Sequence, residues 1–248
     1  MVDNPANQSS VKLTLLIYMD GLTEVLTKNR RVLNVDYLSF GSINSQDKEI
    51  QTTLDRFYQD SQVNEKEISV VDLVFVNSIF HKANSGNLEC YKNRLPSFLL
   101  FHKEFFQVPV THDHIARRLT HHLTEWQEEN HHSVLWFHLR KNHLYVLFAT
   151  PAGELSITSF EVRKTLDVYY YILFNIQTLD SVLPDLKEVT VSGELLNMDK
   201  IHNFFSENVG DKKLITFWQW KGLLGRPKPE ISLYLPEVYP DRFSSLNR

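Results

Sequence analysis

A chain of 248 residues, 42% of them apolar, can fill one large domain or two of ordinary size with proper cores. Its formal charge of −4 and pI near 6.3 argue against a general nucleic-acid or membrane-surface binder, which carries a clear basic excess. The single cysteine, Cys90, excludes an intrachain disulfide and a cysteine zinc site, and fits a reducing compartment.

Residues 1–10 are polar and contain Pro5, unlike the basic-then-apolar layout of a signal peptide, and are expected to be a flexible N-terminus. No apolar run approaches the ~20 residues that cross a bilayer, so a cytoplasmic location without a membrane span is expected. Over residues 11–18, Val11, Leu13, Leu15 and Ile17 alternate with Lys12, Thr14 and Tyr18, the pattern of a half-buried strand. Asp20-Gly21 is a hairpin signal, and residues 22–27 and 32–40 continue as two more strands around the polar turn Lys28-Asn29-Arg30. From Asp47 the period changes: Ile50, Leu54, Phe57 and Tyr58 share one helical face, and Asp47 and Glu49 suit its N-terminus, predicting a helix to about Gln62. Residues 68–76 are almost continuously apolar and β-branched, as in a strand buried on both faces. Helices are expected at residues 96–107 and 113–129, closing the first half.

From Ser133 the same order returns. Leu135, Phe137 and Leu139 alternate with Val134, Trp136, His138 and Arg140, then Lys141-Asn142 turns, residues 143–150 run back, Pro151-Ala152-Gly153 turns, and residues 154–162 form a third strand. A helix over residues 165–179 is expected to bury Leu166, Tyr169, Tyr170, Leu173 and Ile176. Residues 189–192 make a fourth strand, Asn197 an N-cap for a helix over 198–208, and 214–218 a last strand. First strands begin at residues 11 and 133, main helices at 47 and 165, fourth strands at 68 and 189, so the offset is nearly constant and reads as an internal duplication. The expected organisation is a first subdomain over 11–130, a second over 131–221, and an extended tail over 222–248 carrying Pro227, Pro229, Pro236 and Pro240.

Two consecutive β-β-β-α-β-α units of mixed α/β type resemble the actin-like ATPase superfamily, whose two halves are each ribonuclease-H-like. The chain is similar to one branch of it, a bacterial family of proteins of unknown function, through residues 12–22 (KLTLLIYMDGL), 154–160 (ELSITSF) running into 167–173 (DVYYYIL), and 189–194 (VTVSGE). The resemblance covers roughly residues 11–220 and implies an actin-like fold with a nucleotide cleft between the halves. The branch is known by its fold rather than by a reaction.

In active actin-like ATPases the first hairpin carries Asp-x-Gly-Thr/Ser, a carboxylate for hydrated magnesium beside residues that let backbone approach phosphate. Here it reads Asp20-Gly21-Leu22-Thr23, with the glycine at the wrong spacing and Leu22 where a small polar residue is wanted. The second hairpin, Asp-x-Gly-Gly in those families, reads Arg140-Lys141-Asn142-His143, and the paired glycines of the adenosine segment are reduced to Ser192-Gly193-Glu194. The cofactor-binding candidates are therefore Asp20, Gly21, Arg140, Lys141, Ser192 and Gly193, against the plainer readings of a hairpin turn, an exposed basic turn and a tight strand-to-helix turn. No cofactor is expected; ATP with magnesium belongs to the alternative in which Arg140, Lys141 and Ser192-Gly193 hold a nucleotide or phospholigand. A nuclease would need carboxylates on the first strand, the main helix and the end of the fourth strand; Asp20 and Glu49 are present, but Asp72 lies early in its strand and Asn77 occupies the end.

Nine of the eleven histidines lie between His102 and His143. His121 and Glu125 share a helical face as two metal ligands would, yet no His-Glu-x-x-His pattern occurs, and the plain reading is a polar, partly titrating helix surface. Trp218, Trp220 and Tyr169-Tyr170-Tyr171 suit core or sheet packing, or a partner site where several meet at the surface. The expected function is a non-catalytic actin-like binding or scaffolding protein whose partner is another protein, with catalytic and metal residues absent.

Overall fold

The computed structural model describes residues 11–18, 20–29, 31–40, 47–60, 65–77, 95–130, 132–180, 186, 188–193, 203, 204, 207, 208 and 214–217. The expectations for residues 1–10, Cys90, Asn197, Trp218, Trp220 and the tail lie outside them. The chain divides into two compact units, residues 1–115 and 116–248.

In the first unit, β1 (Val11–Ile17) and β2 (Gly21–Lys28) form a hairpin closed by Tyr18 N–H donating to Gly21 O at 2.8 Å. The chain turns again at Asn29, whose φ of 49° suits an Asn, into β3 (Arg31–Ser39). Strand β4 (Ile68–Phe75) lies parallel to β1, and a parallel neighbour needs a crossover, which α1 (Asp47–Asp60) supplies. The sheet order is β3-β2-β1-β4-β5. Val11, Leu13, Leu15, Ile17, Leu22, Val71, Leu73 and Phe75 pack with Leu54 and Tyr58 of α1 and with Phe98 and Phe106 of α2 (Leu95–Phe106). Each such side chain taken from water contributes roughly 1.5–3 kcal/mol, so the two middle strands anchor the unit.

The edge strand β3 is blunted in two ways. A bulge between Asn34 and Val32 leaves Leu33 without a partner on β2, and the Tyr37 N–H donates to the Asp36 carboxylate at 2.8 Å. At the other edge lies β5 (Val110–His114), which the sequence pattern did not predict. The expected helix at 113 therefore begins only at Ile115, as α3 (Ile115–Asn130). Strand β5 is short and polar, and its conformation is imposed by pairing with β4, supported by Thr111 Oγ1 donating to Asp72 Oδ1 at 2.9 Å.

The second unit repeats the arrangement: β6 (Val134–Arg140), β7 (His143–Ala149), β8 (Leu155–Glu161), α4 (Thr165–Asp180), β9 (Glu188–Gly193) and β10 (Leu214–Phe217) give the order β10-β9-β6-β7-β8. Read from the three-strand edge, both sheets have one order and one set of strand directions. All seven residues of β6 are buried. Leu135, Phe137 and Leu139 pack with Leu144, Val146, Val189 and Val191 against Val168, Tyr169, Ile172 and Ile176 of α4. Asp167 accepts the Arg163 and Lys164 N–H groups at the start of α4, which holds its carboxyl below the ordinary range. Of the expected helix over 198–208, the four described residues are helical, and Phe204 stacks on Tyr169 at 4.4 Å.

The buried face of α4 differs from the expected one. Tyr169 and Ile176 are buried, but Leu166 is 70% and Tyr170 61% exposed, with Phe174 at 48% one turn further along. Apolar residues surround this helix almost completely, so its sequence does not encode a side; the sheet selects the 168–172–176 row.

Candidate functional site

In open sheets with parallel central strands, ligands collect beyond the strands' carboxyl ends. In the first unit the β1–β2 turn occupies that place. Asp20 is exposed there, and its backbone carbonyl accepts the Phe40 N–H at 2.8 Å, which joins the end of the third strand to the turn. Gly21 needs its missing side chain for internal reasons: a Cβ would stand 2.2 Å from Leu38 O and 2.8 Å from Tyr37 Oη. Leu22, where a phosphate-facing hydroxyl would be wanted, is fully buried in the core.

The second unit carries the same turn with different chemistry. Asn142 O accepts the Val162 N–H at 2.8 Å, matching the Phe40–Asp20 bond, and Lys141 takes a φ of 47° to reverse the chain. Strand β9 runs beside β6 with Ser192 level with His138 and Gly193 level with Leu139, so Arg140, Ser192 and Gly193 gather at one end of the sheet. Arg140 is 1% exposed, which corrects the expectation of an exposed basic turn; of that turn only Lys141 keeps partial exposure and Asn142 full exposure. Arg140 is buried because it continues the β6 row of Trp136 and His138, opposite His143 on β7. Ser192 Oγ accepts the Trp136 indole N–H at 2.7 Å and lies 2.8 Å from His138 Nδ1. Gly193 has a φ of 94°, and a Cβ there would stand 2.0 Å from Leu139 O.

The histidines do not form the expected surface. His102, His114, His122, His138 and His143 are buried, and each sits among its own neighbours: His102 Nδ1 lies 2.7 Å from Phe98 O, and His114 Nε2 3.2 Å from Asn77 Oδ1. His121 is exposed and pairs with Glu125 at 3.4 Å. Among the described residues no group of three or more His, Cys, Asp or Glu is placed to hold a metal ion. Asp72 accepts Thr111 on one oxygen and faces Lys12 Nζ at 2.8 Å with the other, a cross-strand tie.

A further titratable group lies inside the first unit. Glu24 on β2 is 1% exposed, in phase with Leu22 and Leu26, and neither carboxyl oxygen has a hydrogen-bond partner among the described residues. Burial, followed by the negative charge of Asp36 across β3, pushes its carboxyl up to about 7. Its signal in the sequence is a charged residue on the apolar phase of a strand. Near it, Tyr58 Oη lies 3.1 Å from His102 Nε2, and burial brings His102 down to about 4 against its bond to Phe98 O.

No protein-family model matches the chain, and no curated protein matches it. Among solved structures it is similar to a protein of Bacteroides thetaiotaomicron with an actin-like ATPase fold and unknown function, at 13% identity over 88% of this chain and 93% of that one, with a TM-score of 0.59. More distant likenesses include an exopolyphosphatase of Cytophaga hutchinsonii (12% identity, 83% and 73% of the chains, TM-score 0.43). Another is component A of the (R)-2-hydroxyglutaryl-CoA dehydratase of Acidaminococcus fermentans (8%, 84% and 92%, TM-score 0.44). The fold is the actin-like ATPase fold, with two mixed sheets of one topology.

Proposed function

We propose that the chain is a non-catalytic binding or scaffolding protein on the actin-like fold, of the bacterial branch it resembles, acting in the cytoplasm on another protein. The observation that carries this reading is the use made of the two strand-end glycines. A glycine that serves a phosphate leaves open space where its Cβ would be; at Gly21 and Gly193 that space is filled by the carbonyls of Leu38 and Leu139. A protein partner is supported by the exposed row Leu166, Tyr170 and Phe174 on α4, where Tyr170 and Phe174 stack at 6.0 Å. Magnesium ATP tests the reading. A nucleotide at 100 times its Kd adds about 2.7 kcal/mol, which raises Tm by roughly 5–10 °C. The expected outcome is no shift and no phosphate release; either one overturns the proposal.

A second reading, a nucleotide- or phospholigand-binding protein, is favoured by Arg140 beside Ser192 and Gly193 at the end of β6 and β9, with Lys141 next in the turn. It requires that Arg140→Met and Lys141→Met each weaken a measurable affinity for ATP or pyrophosphate. Titration calorimetry of the unaltered chain with both ligands decides it first, since absence of heat with either removes the reading.

A further inference from the structure

The polar cluster beneath the helices of the first unit is wired in one direction. His102 Nδ1 lies 2.7 Å from a carbonyl, Phe98 O, so that nitrogen carries the proton and Nε2 is left as an acceptor. The Tyr58 hydroxyl, 3.1 Å from Nε2, must then donate to it. Tyr58 therefore turns lone pairs, not its proton, toward the rest of the cluster. Glu24 feels the negative charge of Asp36 from β3, and Tyr58 of α1 in turn feels the charge of Glu24; from β1 its cross-strand neighbour is the uncharged Leu15, and His102 of α2 is reached through Tyr58. Among the described residues nothing donates to either Glu24 oxygen. A neutral carboxyl fits this setting, because its own O–H can donate. A carboxylate does not: it would face the lone pairs of Tyr58 and the like charge of Asp36 in an apolar interior, where Phe57, Phe101, Phe105 and Phe106 crowd Tyr58 at 5.0–6.2 Å.

We propose that Glu24 and His102 form a proton-operated latch, in which α1 and α2 stay seated on β1–β3 while both side chains are neutral and ionisation of Glu24 releases them. The two groups act in opposite directions. Opening lets Glu24 lose a proton and lets His102 gain one, so their pH dependences offset between about pH 4.5 and 6.5, and Glu24 acts alone above that range.

The latch is tested by amide hydrogen exchange of α1 and α2 in the whole chain, comparing wild type with Glu24→Gln from pH 5 to 8 after correction for intrinsic rates. The expected opening of wild type relative to the variant rises about tenfold per pH unit between pH 5 and 7 and levels off above. The amides of β6 and β7 in the second unit should not follow it. A ratio that is independent of pH overturns the proposal, as does an equal rise in β6 and β7, which would mean global unfolding. Glu24→Leu, neutral and of similar size, must give the same profile. Failure of both variants to fold also overturns the proposal, because the latch requires that a neutral side chain be tolerated there.

Discussion

Three glycines separate two costs that are usually measured together. Gly153 has a φ of 86° with nothing within 4 Å of its absent Cβ; Gly21 has its Cβ position 2.2 Å from Leu38 O; Gly193 has both a φ of 94° and a carbonyl at 2.0 Å. Gly153→Ala should then show only the conformational cost, roughly 1–2 kcal/mol less a fraction recovered from the unfolded chain. Gly21→Ala must part β2 from β3 by more than an ångström to reach ordinary contact, straining one or two ladder hydrogen bonds, which is worth about 2 kcal/mol. Gly193→Ala carries both terms and should lose about 3–4 kcal/mol. Urea denaturation followed by circular dichroism, read on the transition of the unit that holds each residue, gives the three values. The order Gly153, Gly21, Gly193 is the prediction. A Gly193→Ala loss no larger than that of Gly153→Ala would refute the claim that β6 and β9 approach through this glycine, and with it the main support for a non-catalytic turn.

Lys12 and Asp72 form a partly buried pair, so Lys12→Met should cost about 2–3 kcal/mol by stranding the carboxylate, and adding Asp72→Asn should recover most of it; a double variant no better than the single one would deny the pairing a structural role. Because burial holds His102 near 4 in the folded chain, below its ordinary 6.5, its stabilisation is present above pH 6.5 and lost as pH falls toward 4, a swing of about 3 kcal/mol. Urea midpoints of His102→Phe against wild type should converge by that amount over the window, and parallel curves would count against it. Leu166→Ser and Tyr170→Ser, on the exposed side of α4, should change stability by less than about 0.5 kcal/mol, and a loss above about 2 kcal/mol by either would mean that this face is covered within the chain.

How much of this was legible followed from where the determining forces lie. Strand β4 is buried on nearly all of both faces, and its apolar, β-branched run announces this locally. Strand β1, whose alternation predicts a half-buried strand, is instead buried on both faces, with Thr14 and Leu16 in the interior, and so is β6. Strand β5 is different: Val110 to His114 is extended because β4, 39 positions earlier in the chain, offers it hydrogen bonds, a cause that no local pattern reveals. Helix α4 was legible as a helix but not as a surface, since Leu166 and Tyr170 are as apolar as the residues that won the core. The histidines misled for a related reason. Density along the chain is not density on a surface: His102, His114 and His138 point into interiors where Phe98, Asn77 and Ser192 receive them. Arg140 shares that history, because its burial comes from the β6 row it completes and not from the turn beside it.

The two turns bear most directly on what the fold is for. Each accepts a hydrogen bond from the residue just past its third strand, Phe40 to Asp20 and Val162 to Asn142, both at 2.8 Å. That bond closes a three-strand meander, and a sheet of this order needs it whether or not a ligand lies beyond. The residues around it differ sharply: an exposed carboxylate in one unit, a buried guanidinium in the other. Backbone geometry required by the sheet is thus shared, while the side chains around the two turns are not. The glycines fall on the structural side of this division, since the carbonyls of Leu38 and Leu139 stand where a Cβ at Gly21 or Gly193 would be. On the proposed non-catalytic reading the sheet alone accounts for the geometry of these turns, and the partner surface to test is the outer row of α4, Leu166, Tyr170 and Phe174.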